Sequence, residues 1–443
     1  MADYEKIFKA YDVRGICPSE IDEAAIYRIG EAYMAVNRLK NIVVGRDVRK
    51  SGAKLKQQLI KALIDNGANV TDIGIITTDQ LYFAVGQYGF DGGISVTASH
   101  NPGEYNGLKF SEAGGAPIAS DQLMAIRDWA ASDNKLPAGQ TGKLNKKSIL
   151  DDYVAHVLSY VDASKIKPLK IVANANFGAV GRVVDILAKK LNLELERLNW
   201  EQDGRFPKGP PNPLLPENRD ETIALIKKTK PDFGVAWDAD ADRVFLFAGD
   251  GTFIPSPYLI ALLAPEFLKK YPESKIIHDV TTAWVIDDSV RASGGIPVIN
   301  RTGHTFMKAR MRQEDAPFAG ESSGHYYFRD SFYADNGIVP FLMALQLVSE
   351  SGRTLKQLIE PLMASYKVSG EINFSVDSPA EAVARVEKHY QGAGKFDKTD
   401  GLVVETKAWR FSVRPSNTEP LFRLNAEARD QSQLDKLVAE ISS

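Results

Sequence analysis

At 443 residues, with 44% hydrophobic and 25% charged residues, the chain has the composition of an ordered globular protein of about two to four domains, which excludes a disordered or fibrous class. A formal net charge of −3 offers no basic field for nucleic acid, so any anionic substrate needs a local cluster of donors. One cysteine, Cys17, rules out a disulfide framework and a cysteine-based zinc site, the first residues carry no signal-like segment, and no apolar run is long enough to cross a bilayer, so a cytoplasmic protein with no membrane partner is expected.

Apolar, β-branched runs alternate with amphipathic stretches along most of the chain. Strands are predicted over 41–45 and 70–75 with a helix over 54–66 between them, and a further strand over 93–96. The same pattern returns with a strand over 170–174, helices over 180–191 and 221–228, and a strand over 233–237. A third round runs from a strand over 274–278 to Gly320. The last part changes character, with a strand over 368–376, a helix over 379–390, strands over 402–405, 409–413 and 421–428, and a closing helix from Gln431. This reads as three similar α/β domains with mixed or parallel sheets followed by a smaller α+β domain. The boundaries are expected in loop-like segments, giving domains over 1–148, 149–253, 254–366 and 367–443.

Chemistry-bearing residues cluster in five places. Near the N-terminus, Tyr11 and Arg14, then the 45–52 segment with Arg46 and Arg49, and Asn106 to Lys109, are loops that each read as solvated basic surface and together supply cations. Thr97-Ala98-Ser99-His100-Asn101-Pro102 follows a predicted strand, where an α/β fold exposes a reactive side chain, although a polar turn has the same composition. The Gly-x-Ser-x-Gly elbow of hydrolases is missing, and in an extended segment His100 points to the face opposite Ser99 and does not serve as its base.

Asp238-Ala239-Asp240-Ala241-Asp242-Arg243 directly follows a buried-strand pattern. Three alternating carboxylates in a tight loop suit a hard cation such as Mg2+, and an EF-hand is excluded because Arg243 and Gly249 stand where Gly and Glu are needed. A phosphatase with Asp238 as nucleophile has the same Asp-x-Asp opening and stays open as a rival. Glu321, Ser323 and His325 fall in a glycine-flanked loop able to hydrogen-bond sugar hydroxyls, or to form a plain polar hairpin. Arg414, Ser416, Asn417 and Thr418, with Arg423 beyond, suit a phosphate dianion or an ordinary capping turn.

In this order and spacing the segments resemble the α-D-phosphohexomutase family, in particular bacterial phosphomannomutase/phosphoglucomutase enzymes, over essentially the whole chain. The resemblance implies four domains around a central cleft and a phosphotransferase that shifts phosphate between the two ends of a hexose through a bisphosphorylated sugar, with hexose 1,6-bisphosphate as activator. It implies that Ser99 is phosphorylated and that Asp238, Asp240 and Asp242, with the phosphoserine, hold Mg2+. Arg243 then contacts the reacting phosphate, while Arg14, His100, Lys109 and His325 give acid/base or electrostatic help. Tyr11, His304, Glu321 and Ser323 face the sugar, and Arg414, Ser416, Asn417, Thr418 and Arg423 grip the phosphate that is not reacting. The partners implied are small-molecule sugar phosphates and no nucleic acid, with the chain a monomer or homodimer. A hinge is expected near 364–370. Three departures stand out. Ala239 and Ala241 replace glycines common in the metal loop, and alanine accepts positive φ poorly. Ser322 replaces the Met typical of mannose/glucose enzymes, where phosphoglucosamine mutases carry Gln. Thr281 and Thr282 stand where some relatives have Lys. Mannose is the expected sugar with glucose next, and a phosphoglucosamine mutase, a phosphatase or a non-catalytic sugar-phosphate binder are the alternatives.

Overall fold

The computed structural model describes residues 2–137, 139–415 and 421–442. They form two units, one made of the chain up to Thr252 with Asp330–Gly352, the other of Phe253–Arg329 with the chain from Arg353 onward.

The first unit holds two mixed sheets. In one, the strands run in the order Val13–Ile16, Tyr105–Glu112, Gly92–Val96, Asn41–Arg46, Asn69–Ile75, Leu144–Lys146. Gly92–Val96 is parallel to Asn41–Arg46 and antiparallel to Tyr105–Glu112, so the loop from Thr97 leaves the carboxyl end of a central strand and returns antiparallel. In the other sheet, Phe233–Trp237 is parallel to Lys170–Asn174 and antiparallel to Val244–Ala248, and the loop from Asp238 to Arg243 joins that antiparallel pair. All five residues of Phe233–Trp237 are buried, which explains its unbroken apolar run in place of an alternating one. Trp237 donates its indole N–H to the Gly337 carbonyl at 2.7 Å and meets the Phe341 ring edge-on at 5.5 Å, so the helix Val339–Ser351 closes over this sheet.

The second unit repeats the device. Lys275–Asp279 is parallel to Ile296–Asn300 and to Phe318–Gly320, and Phe318–Gly320 turns through Glu321–His325 into the antiparallel Tyr326–Phe328. The serine, aspartate and glutamate loops therefore occupy equivalent topological positions in three similar α/β sheets, at strand ends where ligands bind in such folds. The remaining sheet is antiparallel, with Leu421–Ala428 between Trp409–Pro415 and the two short strands Lys367–Val368 and Ile372–Ser375. One strand was expected over 368–376; Gly370, at φ +68, breaks it in two because that conformation cannot continue a ladder. Phe411, Val413, Leu424 and Leu434 pack this sheet under the helices Pro379–His389 and Gln431–Ser442. No helix among the described residues is long and apolar enough to cross a membrane.

Candidate active site

The serine loop begins where Val96 leaves the sheet. Ser99 is buried and adopts a left-handed φ of 50°, uncommon for a residue with a Cβ. That twist brings the side chains of consecutive residues together, and Ser99 Oγ lies 3.1 Å from His100 Nδ1. The expectation of an extended segment with His100 turned away is thus corrected: the positive φ reverses the alternation on which it rested. Burial, then the charges of Arg243 and Arg14, push the His100 pKa well below its ordinary value, so the imidazole is neutral and able to accept a proton.

The aspartate loop meets the same imidazole through Asp242 and Arg243, whose charges act on it. Ligand oxygens of Asp238, Asp240 and Asp242 all lie within 4.8 Å of one another. Lys109 donates to Asp240 Oδ2 at 2.7 Å and to Asp242, and Arg243 Nε donates to Asp238 Oδ2 at 2.8 Å. Burial works against the Lys109 charge, but the two carboxylates outweigh it and raise its pKa. Asp238 is raised by burial first and by Asp242 and Asp240 next, against Arg243. Thr78, which opens the helix Thr78–Tyr88, donates its hydroxyl to Asp240 Oδ2 at 2.6 Å and its N–H to the Asp240 carbonyl at 2.8 Å. Asp240 Oδ1 is left buried with no hydrogen-bond partner among the described residues. Three converging carboxylates, one with an orphaned oxygen, fit a hard divalent cation such as Mg2+.

Ala241 does adopt positive φ, at 55°, in place of the glycine whose loss the sequence flagged. Glycines instead appear opposite the loop: a Cβ on Gly178 would lie 2.4 Å from the Ala239 carbonyl oxygen, and one on Gly337 2.4 Å from that of Ala241. Close approach by neighbouring backbone fixes the loop in a shape its own residues do not favour. Arg14 completes this cluster. It donates to Asp12 Oδ2 and to Asn101 Oδ1 in the serine loop, and although burial opposes its charge, Asp12, Asp240 and Asp242 raise its pKa. Tyr11 is half-buried beside Asp12.

In the second unit, Glu321 is buried and accepts from the Gly303 N–H at 2.6 Å and from the Tyr327 hydroxyl. Burial raises its pKa against the pull of His325. Ser323 Oγ lies 2.8 Å from His325 Nδ1, and the His304 and His325 rings are 6.4 Å apart, so these four predicted residues do come together. Arg414 and Arg423 face each other across two strands, a like-charge pairing held by Glu371, which lies 3.2 Å from Arg414 Nη2 and 3.7 Å from Arg423 Nη1. Asp400 lies 3.5 Å from Arg414 and accepts the Thr302 N–H at 3.0 Å, tying the arginine to the His304 segment. Ser416, Asn417 and Thr418 lie outside the described residues.

Sequence reasoning missed Asp279, which accepts from the N–H groups of Ser322 and Thr281 at 2.7 and 3.0 Å and from the Ser322 hydroxyl at 3.2 Å. An Asp ending an apolar strand and followed by Thr281 is the signal that was available. It also took Arg49 for solvated basic surface, whereas that side chain is wholly buried.

Comparison with known proteins matches the chain in four consecutive segments. The phosphoglucomutase/phosphomannomutase alpha/beta/alpha domain I, II and III models match residues 5–136, 151–251 and 255–366, and the C-terminal domain model matches 371–443. A protein of Xanthomonas campestris pv. campestris described as phosphohexose mutases is 46% identical over 439 residues, covering 98% of each chain. The phosphomannomutase of Escherichia coli strain K12 is 44% identical over 431 residues, covering 95% of this chain and 94% of that one. The crystal structure of a phosphoglucomutase/phosphomannomutase family protein from Burkholderia thailandensis superposes with a TM-score of 0.88 at 31% identity, covering 99% of this chain and 96% of that one.

Proposed function

Since the chain belongs to the phosphoglucomutase/phosphomannomutase family and is a phosphohexomutase, we propose that it interconverts hexose 1-phosphate and hexose 6-phosphate, mannose before glucose, through a phosphorylated Ser99 and a bisphosphorylated sugar. The observation that carries this reading is the part-buried Ser99–His100 contact beside three carboxylates and three cations, Arg14, Lys109 and Arg243.

Phosphoryl transfer passes through a loose transition state whose charge spreads over the equatorial oxygens, so catalysis rests on position and on cations. A substrate hydroxyl oxygen bonds to the phosphorus of phospho-Ser99 as the Ser99 Oγ–P bond breaks, and the proton that this hydroxyl loses is relayed by the neutral His100 imidazole to Oγ, leaving Ser99 as its hydroxyl. In the return step His100 takes the Ser99 proton as Oγ bonds to the other phosphorus of the bisphosphorylated sugar, the sugar O–P bond there breaks, and the proton passes to the departing sugar oxygen, which leaves as a hydroxyl. Lys109 and Arg14, kept charged by their carboxylate partners, serve as fixed positive poles and not as acids. Three carboxylates stand against Lys109 and Arg243 in the loop, and a phosphoserine adds about −1.5 to −2 more. Asp238, Asp240 and Asp242 would hold Mg2+, which when bound supplies the charge that offsets this excess. In the second unit Glu321, Ser323, His304 and His325 take the sugar hydroxyls, while Arg414 and Arg423 take the phosphate that is not reacting. Hexose 1,6-bisphosphate serves as activator by charging Ser99, and the enzyme works in the cytoplasm.

Arg243 donates to both oxygens of Asp238, Nε to Oδ2 at 2.8 Å and the backbone N–H to Oδ1 at 3.3 Å, and each oxygen keeps a second lone pair for a cation; the phosphatase reading is separated by its product, free phosphate. The Ser322 hydroxyl donates to Asp279 at 3.2 Å, and the preference for mannose over glucosamine rests on the relatives named phosphomannomutase. A coupled assay on mannose-, glucose- and glucosamine-phosphates, with bisphosphate present and free phosphate monitored, tests the proposal. Fastest turnover of mannose phosphate without phosphate release is expected; stoichiometric release of phosphate would overturn it.

A further inference from the structure

The serine loop is organised around a side chain that takes no part in the reaction just described. Arg49 has none of its side chain exposed, and all five N–H groups of its guanidinium are used. Nε donates to Asp47 Oδ2 at 3.0 Å. Nη1 donates to the carbonyls of Pro102 and, at 3.1 Å, Tyr105; Nη2 donates to those of Ser99 at 2.7 Å and Asn101 at 2.6 Å. The Phe206 ring covers the guanidinium at 4.9 Å. The backbone around Phe206 is pressed onto both sides of the arrangement: a Cβ on Gly204 would lie 2.5 Å from Arg49 Cα, and one on Gly103 2.7 Å from the Arg205 carbonyl oxygen.

Asp47 closes the network. It accepts the Thr97 hydroxyl at 2.7 Å, and Thr97 Oγ1 accepts the Ser99 N–H at 3.0 Å. One carboxylate therefore holds Ser99 by its N–H, through Thr97, and by its C=O, through Arg49. A left-handed conformation at a residue other than glycine persists only where the surroundings over-determine it, and here they do so at both ends of the residue.

We infer that Arg49 is a positioning residue for phosphoryl transfer, fixing the strained conformation that places Ser99 Oγ against His100. With every donor engaged, it has none left for a phosphate. The inference rests on the reading of Ser99 as phosphoryl carrier. Lysine cannot replace it, since three donors on a flexible stem do not match four carbonyls and a carboxylate in one plane.

The test uses the full chain with Arg49→Lys and Phe206→Leu. Ser99 phosphorylation is first read by mass spectrometry in the unaltered protein after incubation with hexose 1,6-bisphosphate; its absence would overturn the carrier reading and this inference with it. Given that adduct, Arg49→Lys should lower kcat and the rate of Ser99 phosphorylation about 100-fold, the scale of a small misplacement of reacting groups. KM and the affinity for Mg2+, read by titration calorimetry, should stay within about threefold. Phe206→Leu keeps all five hydrogen bonds and should lower kcat about tenfold, the scale of losing a desolvated cation–π contact. Metal and substrate affinities falling in parallel with kcat would mark a merely structural role and overturn the inference. Should Arg49→Lys not fold, Phe206→Leu decides, and an unchanged kcat in it would overturn the inference.

Discussion

Lys109→Met removes the ammonium that bridges Asp240 and Asp242 and leaves three buried carboxylates facing Arg243 and the more distant charge of Arg14. Methionine keeps the length of the stem, so packing changes little and the effect is electrostatic. The Lys109 side chain is 6% exposed and its partners 1% and 3%, which puts the pair in the regime where removing one member strands a charge at about 3–5 kcal/mol. At about 2–4 °C per kcal/mol, the metal-free melting temperature should fall roughly 6–20 °C. A site with one positive charge fewer should also bind Mg2+ more tightly, by about tenfold, equivalent to about 1.4 kcal/mol. At Mg2+ about 100-fold above its Kd, binding returns about 2.7 kcal/mol, so a large part of the deficit should be recovered. Thermal unfolding with EDTA and across a Mg2+ titration measures both. A metal-free loss below about 1 kcal/mol, or weaker Mg2+ binding in the variant, would refute the placement of Lys109 among the metal-site carboxylates.

Further outcomes follow from other parts of the molecule. Asp79 is buried under the Tyr153 hydroxyl, and burial pushes its pKa up to about 7, so the folded chain holds this proton where the unfolded chain has released it. Its contribution to stability is complete below about pH 4 and is lost as pH rises through about 7, a swing on the order of 4 kcal/mol; Asp79→Asn should flatten it in melts at pH 5 and pH 8, and parallel pH profiles would contradict the assignment. Gly178→Ala drives a methyl into the Ala239 carbonyl and should destabilise the protein by about 1–3 kcal/mol while weakening Mg2+ binding; unchanged affinity by calorimetry would show that this backbone contact does not shape the metal loop. Arg414→Ala should raise KM by about tenfold or more with kcat nearly constant, whereas Glu371→Gln, which removes an acid competing for the same guanidinium, should lower KM. A fall in kcat alone for Arg414→Ala would place that residue in the chemistry instead.

The sequence made the reactive loops legible because each is contiguous and follows an apolar strand. Ser99, the three aspartates and Glu321 could be found as short runs at strand ends, and the topology puts them at equivalent positions. What holds those loops was not legible, because it is built from long-range contacts with backbone. Arg49 reaches carbonyls 50 to 56 residues away, and nothing in a Gly-Arg-Asp-Val-Arg run distinguishes a buried guanidinium from a solvated one. The His100 contact was misjudged for a related reason: the left-handed twist of Ser99 is imposed from outside the segment, by Asp47 through Thr97 and Arg49. The single strand expected over 368–376 failed on local grounds that were visible, since Gly370 stands in its middle.

The most direct test of the account is where phosphate resides on the protein. After incubation with hexose 1,6-bisphosphate in Mg2+, intact-mass and peptide analysis should find one phosphate on Ser99, acid-stable as a serine ester, and none in Ser99→Ala, which should still bind sugar phosphate while turning over nothing. An acid-labile adduct on Asp238, or normal turnover by Ser99→Ala, would contradict it.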